Sequence, residues 1–126
     1  YWTSSRDACD LANVSDLDRA ERHNLEVSTE NIFGCRDRRV NTGPVGSYTP
    51  TAAGLYDLLG NAGEWTLDCW RQDYSAASTT GGGEASAVRG GSWFERPREV
   101  SVRHRLRLER SARFSHVGFR VVRDLE

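Results

Sequence analysis

At 126 residues and a formal net charge of −1, the chain can bury one sizeable hydrophobic core but not two. Its four tryptophans, four tyrosines and four phenylalanines exclude the aromatic-poor composition of a disordered chain, and no run approaches the roughly 20 apolar residues of a membrane-spanning helix. The opening YWTSSRDACD has neither a methionine nor a signal-peptide pattern, so a processed or truncated protein is expected, completed by a preceding portion or a partner chain; the closing LE reads as a cloning scar.

The small net charge hides an uneven distribution. Residues 1–88 carry 7 Arg against 13 acids, residues 89–123 carry 10 Arg against 3 Glu, and all 17 basic residues are arginine. Clustered arginine is the footprint of phosphate binding. Glu95, Glu99 and Glu109 interrupt it, however, and no nucleic-acid motif accompanies it, which ranks nucleic acid below a protein or small-molecule ligand. Cys9, Cys35 and Cys69 form an odd set with no CxxC pair. That spacing argues against zinc and leaves two alternatives open, one disulfide with a spare thiol or three buried thiols.

In chain order, SDLDRAERHN at 15–24 predicts a short exposed helix with Ser15 as N-cap and Asp18 three residues on. Gly34, Asn41, Gly43, Pro44, Gly46 and Pro50 mark 30–53 as loop. The alternating EWTLDCW, 64–70, predicts a strand, and ASTTGGGEAS, 77–86, an exposed loop. VSVRHRLRL, 100–108, puts Val100, Val102, His104, Leu106 and Leu108 on one face and Ser101, Arg103, Arg105 and Arg107 on the other; HVGFRVV, 116–122, predicts a further strand. Arginines paired beneath the surface would turn the leucine row outward as a binding patch. The opposite arrangement puts Leu106 and Leu108 in the core and the arginines in water. We expect the outward row. Short strands between long irregular stretches, with one or two helices and no repeat, make the chain α+β.

GLYDLLGNAGEW, 54–65, sets Asp57 and Glu64 seven residues apart around a glycine-rich turn. Oxygen ligands of a hard cation and two solvated surface acids both fit that pattern. Together with RGGSW at 89–93 and GFRVVR at 118–123, the longer stretch GPVGSYTPTAAGLYDLLGNAGEW resembles the formylglycine-generating, sulfatase-modifying-factor family, over roughly residues 9–123. The resemblance implies a C-type-lectin-like fold, loop-rich with a small twisted antiparallel sheet, of which 1–126 is the C-terminal part of a single domain. Trp65, Trp70, Trp93, Phe119 and Leu55 are then expected to be mostly buried. It also implies structural calcium, held by the Asp57 and Glu64 side chains and the Gly60 and Ala62 carbonyls. A second calcium would take the Asn13 and Asp37 side chains with the Val14 and Arg39 carbonyls. That second loop departs from the family's C-D-D-G-Y, reading CRDRR at 35–39.

The family's oxygenases place two copper-binding cysteines soon after GGS, where this chain carries Glu95 and Val100. Neither supplies a thiolate. Ser92 with a histidine and an acid makes a triad only on paper, since 3 His and 18 acids permit many such sets. His104 is expected to be packed or exposed, not a metal ligand. Related sulfoxide synthases keep their iron-binding histidines in a separate N-terminal domain. The resemblance therefore implies a non-catalytic member, the alternative being an oxidoreductase whose catalytic groups lie outside this chain.

RGGSW through GFR also resembles the variable proteins of diversity-generating retroelements. There Pro97, Arg98, Arg105, Arg107 and Arg113 would take framework positions. Phe94, Glu95, Arg96, Glu99, His104, Leu106, Leu108, Glu109, Ala112, Phe114, Ser115 and His116 would take diversified, ligand-binding ones. The glutamates at 95, 99 and 109 depart from diversification of asparagine codons at adenines. The mixture of aromatic, guanidinium and apolar groups itself favours recognition; the competing reading pairs the arginines structurally with carbonyls and acids.

Overall fold

A computed structural model describes residues 5–73 and 83–123. Two short helices, α1 (Ser5–Leu11) and α2 (Leu17–His23), precede a long irregular run. Then come β1 (Gly63–Cys69), β2 (Ala85–Arg89), a 3-10 turn at Pro97–Glu99, β3 (Leu106–Glu109) and β4 (Val117–Gly118). The strands order as β3-β2-β1-β4. β2 runs antiparallel to both β1 and β3, whereas β4 lies parallel to the start of β1, with Val117 opposite Gly63. The loop-rich α+β expectation holds, but the sheet is mixed and not wholly antiparallel.

Local chemistry sets the element ends. Asp16, not the expected Ser15, caps α2: its Oδ1 accepts from the amides of Asp18 at 3.0 Å and Arg19 at 3.1 Å. The Ser15 hydroxyl is spent on the Arg19 guanidinium, 3.1 Å away, and Asn24 at φ 52° closes the helix. The strand expected over 100–108 contracts to Leu106–Glu109. The Ser101 amide turns back to the Glu99 carbonyl, and the Ser101 hydroxyl takes the His104 amide, a local competition that removes those groups from any ladder. The strand expected over 116–122 contracts to Val117–Gly118. Of the loop expected at 77–86, residues 77–82 lie outside the described residues, and from Ala85 the chain is strand. Ala85, Ser86, Ala87 and Val88 are small or branched and buried, so this segment packs as a central strand despite its glycine-rich approach.

The core gathers Ala8, Cys9, Ala12, Val14, Phe33, Leu59 and Val100. A disulfide joins Cys9 to Cys35 across this cluster, with Cys69 half-buried outside it and its Sγ accepting from Arg110 at 3.4 Å. Trp93 is buried, while Trp65 and Trp70 are half-buried. Two expected core residues are exposed, Leu55 at 45% and Phe119 at 76%. Phe119 follows the last ladder residue, Gly118, and among the described residues no strand pairs with it; Leu55 sits in a turn whose carbonyl accepts from Thr51 at 2.9 Å. Leu67, Val121 and Val122 share this exposure. Among the described residues, no helix is long and apolar enough to cross a membrane.

Candidate functional site

The glycine turn after Leu59 carries the first expected cation loop. Asp57 adopts φ 50°; its Oδ2 accepts from the Gly46 amide at 2.7 Å, and its Oδ1 is buried without a hydrogen-bond partner. Asp57, Ala62 and Glu64 line one cavity with Arg120. The Arg120 guanidinium grips both Glu64 oxygens, with Nε 2.6 Å from Oε2. It also donates to the carbonyls of Tyr56 at 3.1 Å and Asp57 at 3.3 Å. Asp57 thus offers an unclaimed oxygen, while Glu64 would be shared between a cation and Arg120. A carboxylate has lone pairs enough for both.

The second expected loop shows the same signature. The Asn13 side chain is almost fully buried, and its Oδ1 lacks a partner. Asp37 accepts from the amides of Val14 and Arg39, each at 2.7 Å. Burial pushes the Asp37 carboxyl up to about 7, with neighbouring Asp16 adding to the rise. Asp16, Asp18 and Asp37 offer carboxylate oxygens within 4.8 Å of one another, a group able to hold a metal ion. Asp16 is wholly buried, its carboxyl also raised by desolvation, and its Oδ2 accepts from the Asp37 amide at 2.5 Å. Of the orphaned buried oxygens, those of Asn13 and Asp57 belong to residues expected as ligands, and hard oxygen donors suit calcium. The residues present fit such an ion.

The expected ligand face divides in two. Phe94, Glu95, Phe114 and His116 come together. His116 stacks on Phe94 at 4.8 Å between centroids and lies 5.3 Å from Phe114. Its Nε2 is 3.8 Å from Glu95 Oε1, and the buried Ser92 hydroxyl donates to Glu95 Oε2. Phe94 and Phe114 are about half exposed, at 48% and 49%. Ser92 is wholly buried, so it orients Glu95 and cannot meet a substrate as a nucleophile. Leu106, Leu108 and Glu109 lie instead on β3, with Arg96, Glu99, His104, Ala112 and Ser115 on the intervening turns. Neither arrangement of the leucine row is realised in full: Leu106 and Leu108 are half-buried opposite Val88 and Ser86 of β2, Arg105 is half-buried as well, and Val102, Arg103 and Arg107 face solvent. Leucine contributes by burial against β2, whereas a buried guanidinium would need full compensation. Val100, at one family cysteine position, is a core residue at 3% exposure.

Several arginines serve the backbone. Arg89 donates to Val102, Arg105 to Gln72, and Arg113 to Arg110 and Ala112. Three residues escaped sequence reasoning. Arg19 lies over the Phe94 ring at 4.8 Å and the Trp93 ring at 5.5 Å; burial lowers its pKa and the Glu95 charge opposes that. Asp16 was signalled only by its place before a helix start. Asn61 stands inside GLYDLLGNAGEW, but a buried asparagine's hydrogen-bond hub leaves no periodic trace.

Fold and loops together define a loop-rich domain of the formylglycine-generating-enzyme type. The chain belongs to the sulfatase-modifying factor enzyme 1-like domain family, which matches residues 6–125. It is 32% identical over 110 residues to the serine/threonine-protein kinase Pkn1 of Chlamydia trachomatis serovar L2, a stretch covering 81% of this chain and 17% of the kinase. Among solved structures it is similar to PvdO from Pseudomonas aeruginosa, with TM-score 0.66 and 28% identity over 89% of this chain and 38% of that one. It is also similar to Treponema denticola variable protein 1, with TM-score 0.55 and 29% identity over 63% of this chain and 31% of that one. The chain thus spans well under half the length of each.

Proposed function

We propose that this domain is a non-catalytic binding module presenting a variable surface over residues 94–116, with a protein as its ligand and a small molecule as the other candidate. The observation carrying this reading is the pair of positions that match the family's cysteines: Val100 is packed in the core, and Glu95 is held by Ser92 beside the half-exposed Phe94. Aromatic groups rimmed by guanidinium are favoured at recognition surfaces. Likeness to a variable protein supports diversification of this face by a retroelement. Structural calcium at Asp57, Gly60, Ala62 and Glu64, and at Asn13, Val14, Asp37 and Arg39, belongs to the same reading. The exposed strip of Leu67, Phe119, Val121 and Val122 supports a covering portion or partner chain.

Membership of a family described as enzyme 1-like favours one second reading, an oxidoreductase whose reactive groups lie outside this chain. Oxygen consumption by the full-length protein with cysteine-containing peptides separates the two. No turnover is expected, and turnover would overturn the binding reading. A reverse-transcriptase gene beside a near-copy of the codons for 89–120 is the expected genomic sign of diversification.

A further inference from the structure

We infer that Asn61 is a positioning residue that couples the two cation loops, so that filling either one tightens the other; the inference rests on the calcium reading above. Asn61 is 6% exposed and held at φ 56°. Its amide donates to the Asn13 carbonyl at 2.7 Å, and its Oδ1 accepts from Asn13 Nδ2 at 3.0 Å and from the Gly43 amide at 2.8 Å. Its Nδ2 donates to the Gly43 carbonyl at 3.3 Å, and its own carbonyl accepts from the Trp93 amide at 3.1 Å. Every backbone and side-chain group of this residue is therefore committed, and two of the bonds reach Asn13.

Those bonds connect the ligand sets directly. Gly60 and Ala62, on either side of Asn61, carry the carbonyls assigned to the first cation. Asn13 carries the side-chain oxygen assigned to the second. Because Nδ2 of Asn13 is fixed on Asn61 and on the Asn41 carbonyl at 2.8 Å, the direction of its unpartnered Oδ1 is fixed with it. A cation on Asn13 Oδ1 would polarise the Nδ2–H bond to Asn61 and hold the turn, so the second ion would meet a loop already ordered.

Calorimetric calcium titration of the unaltered domain, Asp37→Asn, Asn61→Gly and the double variant tests the coupling. Glycine tolerates positive φ, so Asn61→Gly keeps the backbone bonds and deletes only those of the side chain. Asp37→Asn is expected to remove one site and weaken the other by about fivefold or more, the low end of ordinary coupling. In the Asn61→Gly background the same change should leave the remaining site unaltered. Linkage requires Glu64→Gln to weaken the Asn13–Asp37 site by the same factor. A remaining site indifferent to Asp37→Asn, or a coupling that survives Asn61→Gly, overturns the inference while leaving calcium binding intact. No calcium uptake by the unaltered domain overturns both. Should Asn61→Gly not fold, hydrogen exchange in Glu64→Gln decides. Calcium should then slow exchange of the Gly60 and Asn61 amides, and unchanged exchange overturns the coupling.

Discussion

Residues 8–61 and residues 94–120 are held by different mixtures of side-chain contacts to the backbone. In the first stretch, short acids and amides take backbone N–H groups: Asp16 serves Asp18, Arg19 and Asp37, Asp37 serves Val14 and Arg39, and Asn61 serves Gly43. In the second, long arginines reach backbone carbonyls, from Arg105 to Gln72, Arg113 to Ala112 and Arg120 to Tyr56. Short side chains fix the backbone within one or two rotatable bonds and are buried with it. Arginine pins the chain at a distance while its head stays near water. The first device makes a framework that tolerates little change. On the proposed reading, the second leaves the side chains between the pins free to vary.

The contrast predicts unequal costs for one substitution. Phe33 is 3% exposed in the core cluster, and Phe119 is 76% exposed. Phe33→Ala should cost about 3–5 kcal/mol of unfolding free energy in denaturant titration, and Phe119→Ala no more than about 0.5 kcal/mol. Comparable costs would erase the distinction between framework and face. Next in size is the Cys9–Cys35 bridge, 26 residues apart in sequence. Replacing both cysteines by alanine should cost about 3 kcal/mol by the loop-entropy account. Hydrogen exchange should then rise through the first stretch and stay unchanged along β2 and β3.

A further effect comes from pH, with calcium chelated. Asp37 moves from 3.8 in the unfolded chain up to about 7 in the fold, and Asp16 moves in the same direction. The folded state therefore holds these protons more tightly. Their contribution is fully favourable below about pH 4 and is lost as pH rises through 7. The melting temperature in chelator should fall across that window, and Asp37→Asn should flatten the fall. Calcium should do the same for the unaltered protein, because it compensates the buried charge. A melting temperature that rises from pH 4 to 7 through Asp37 would contradict the burial assigned to this carboxyl.

Much of the framework was legible and much of the face was not. The strand at 64–70 and the helix at 15–24 stood out because a period of two, and a polar N-cap before a short helix, are local signals. The motif stretches announced the family. Ala85–Arg89 was missed because its small residues carry no alternation and a glycine run precedes it. VSVRHRLRL misled in the other direction: its alternation is real, yet the Ser101 hydroxyl and the Pro97–Glu99 turn claim the first half for bends. The direction of its faces depended on β2, whose existence the local pattern concealed. Leu55 and Phe119 looked like core by type, but only their neighbours in space decide burial.

The smallest expected effect separates pinned arginines from free ones. Arg120 grips Glu64 and two carbonyls with its side chain 34% exposed, whereas among the described residues Arg107, 52% exposed, pairs only with Glu109 of its own strand at 2.8 Å. An exposed pair of that kind contributes between about 0 and 1 kcal/mol and is screened by salt. Arg107→Ala should therefore change the unfolding free energy by less than about 0.5 kcal/mol, with no further dependence on salt. Arg120→Ala removes the clamp that ties the chain beyond β4 to the glycine turn, and solvent screening keeps its cost near about 1 kcal/mol. Heteronuclear NMR of the two variants measures the reach of each change. Shifts from Arg120→Ala should extend to Tyr56, Asp57 and Glu64, and those from Arg107→Ala should stay on β3 and its β2 neighbours. Shifts from Arg107→Ala that spread into the Asp57–Glu64 turn would show that the face is not free to vary, and the division between pins and presented positions would fail with it.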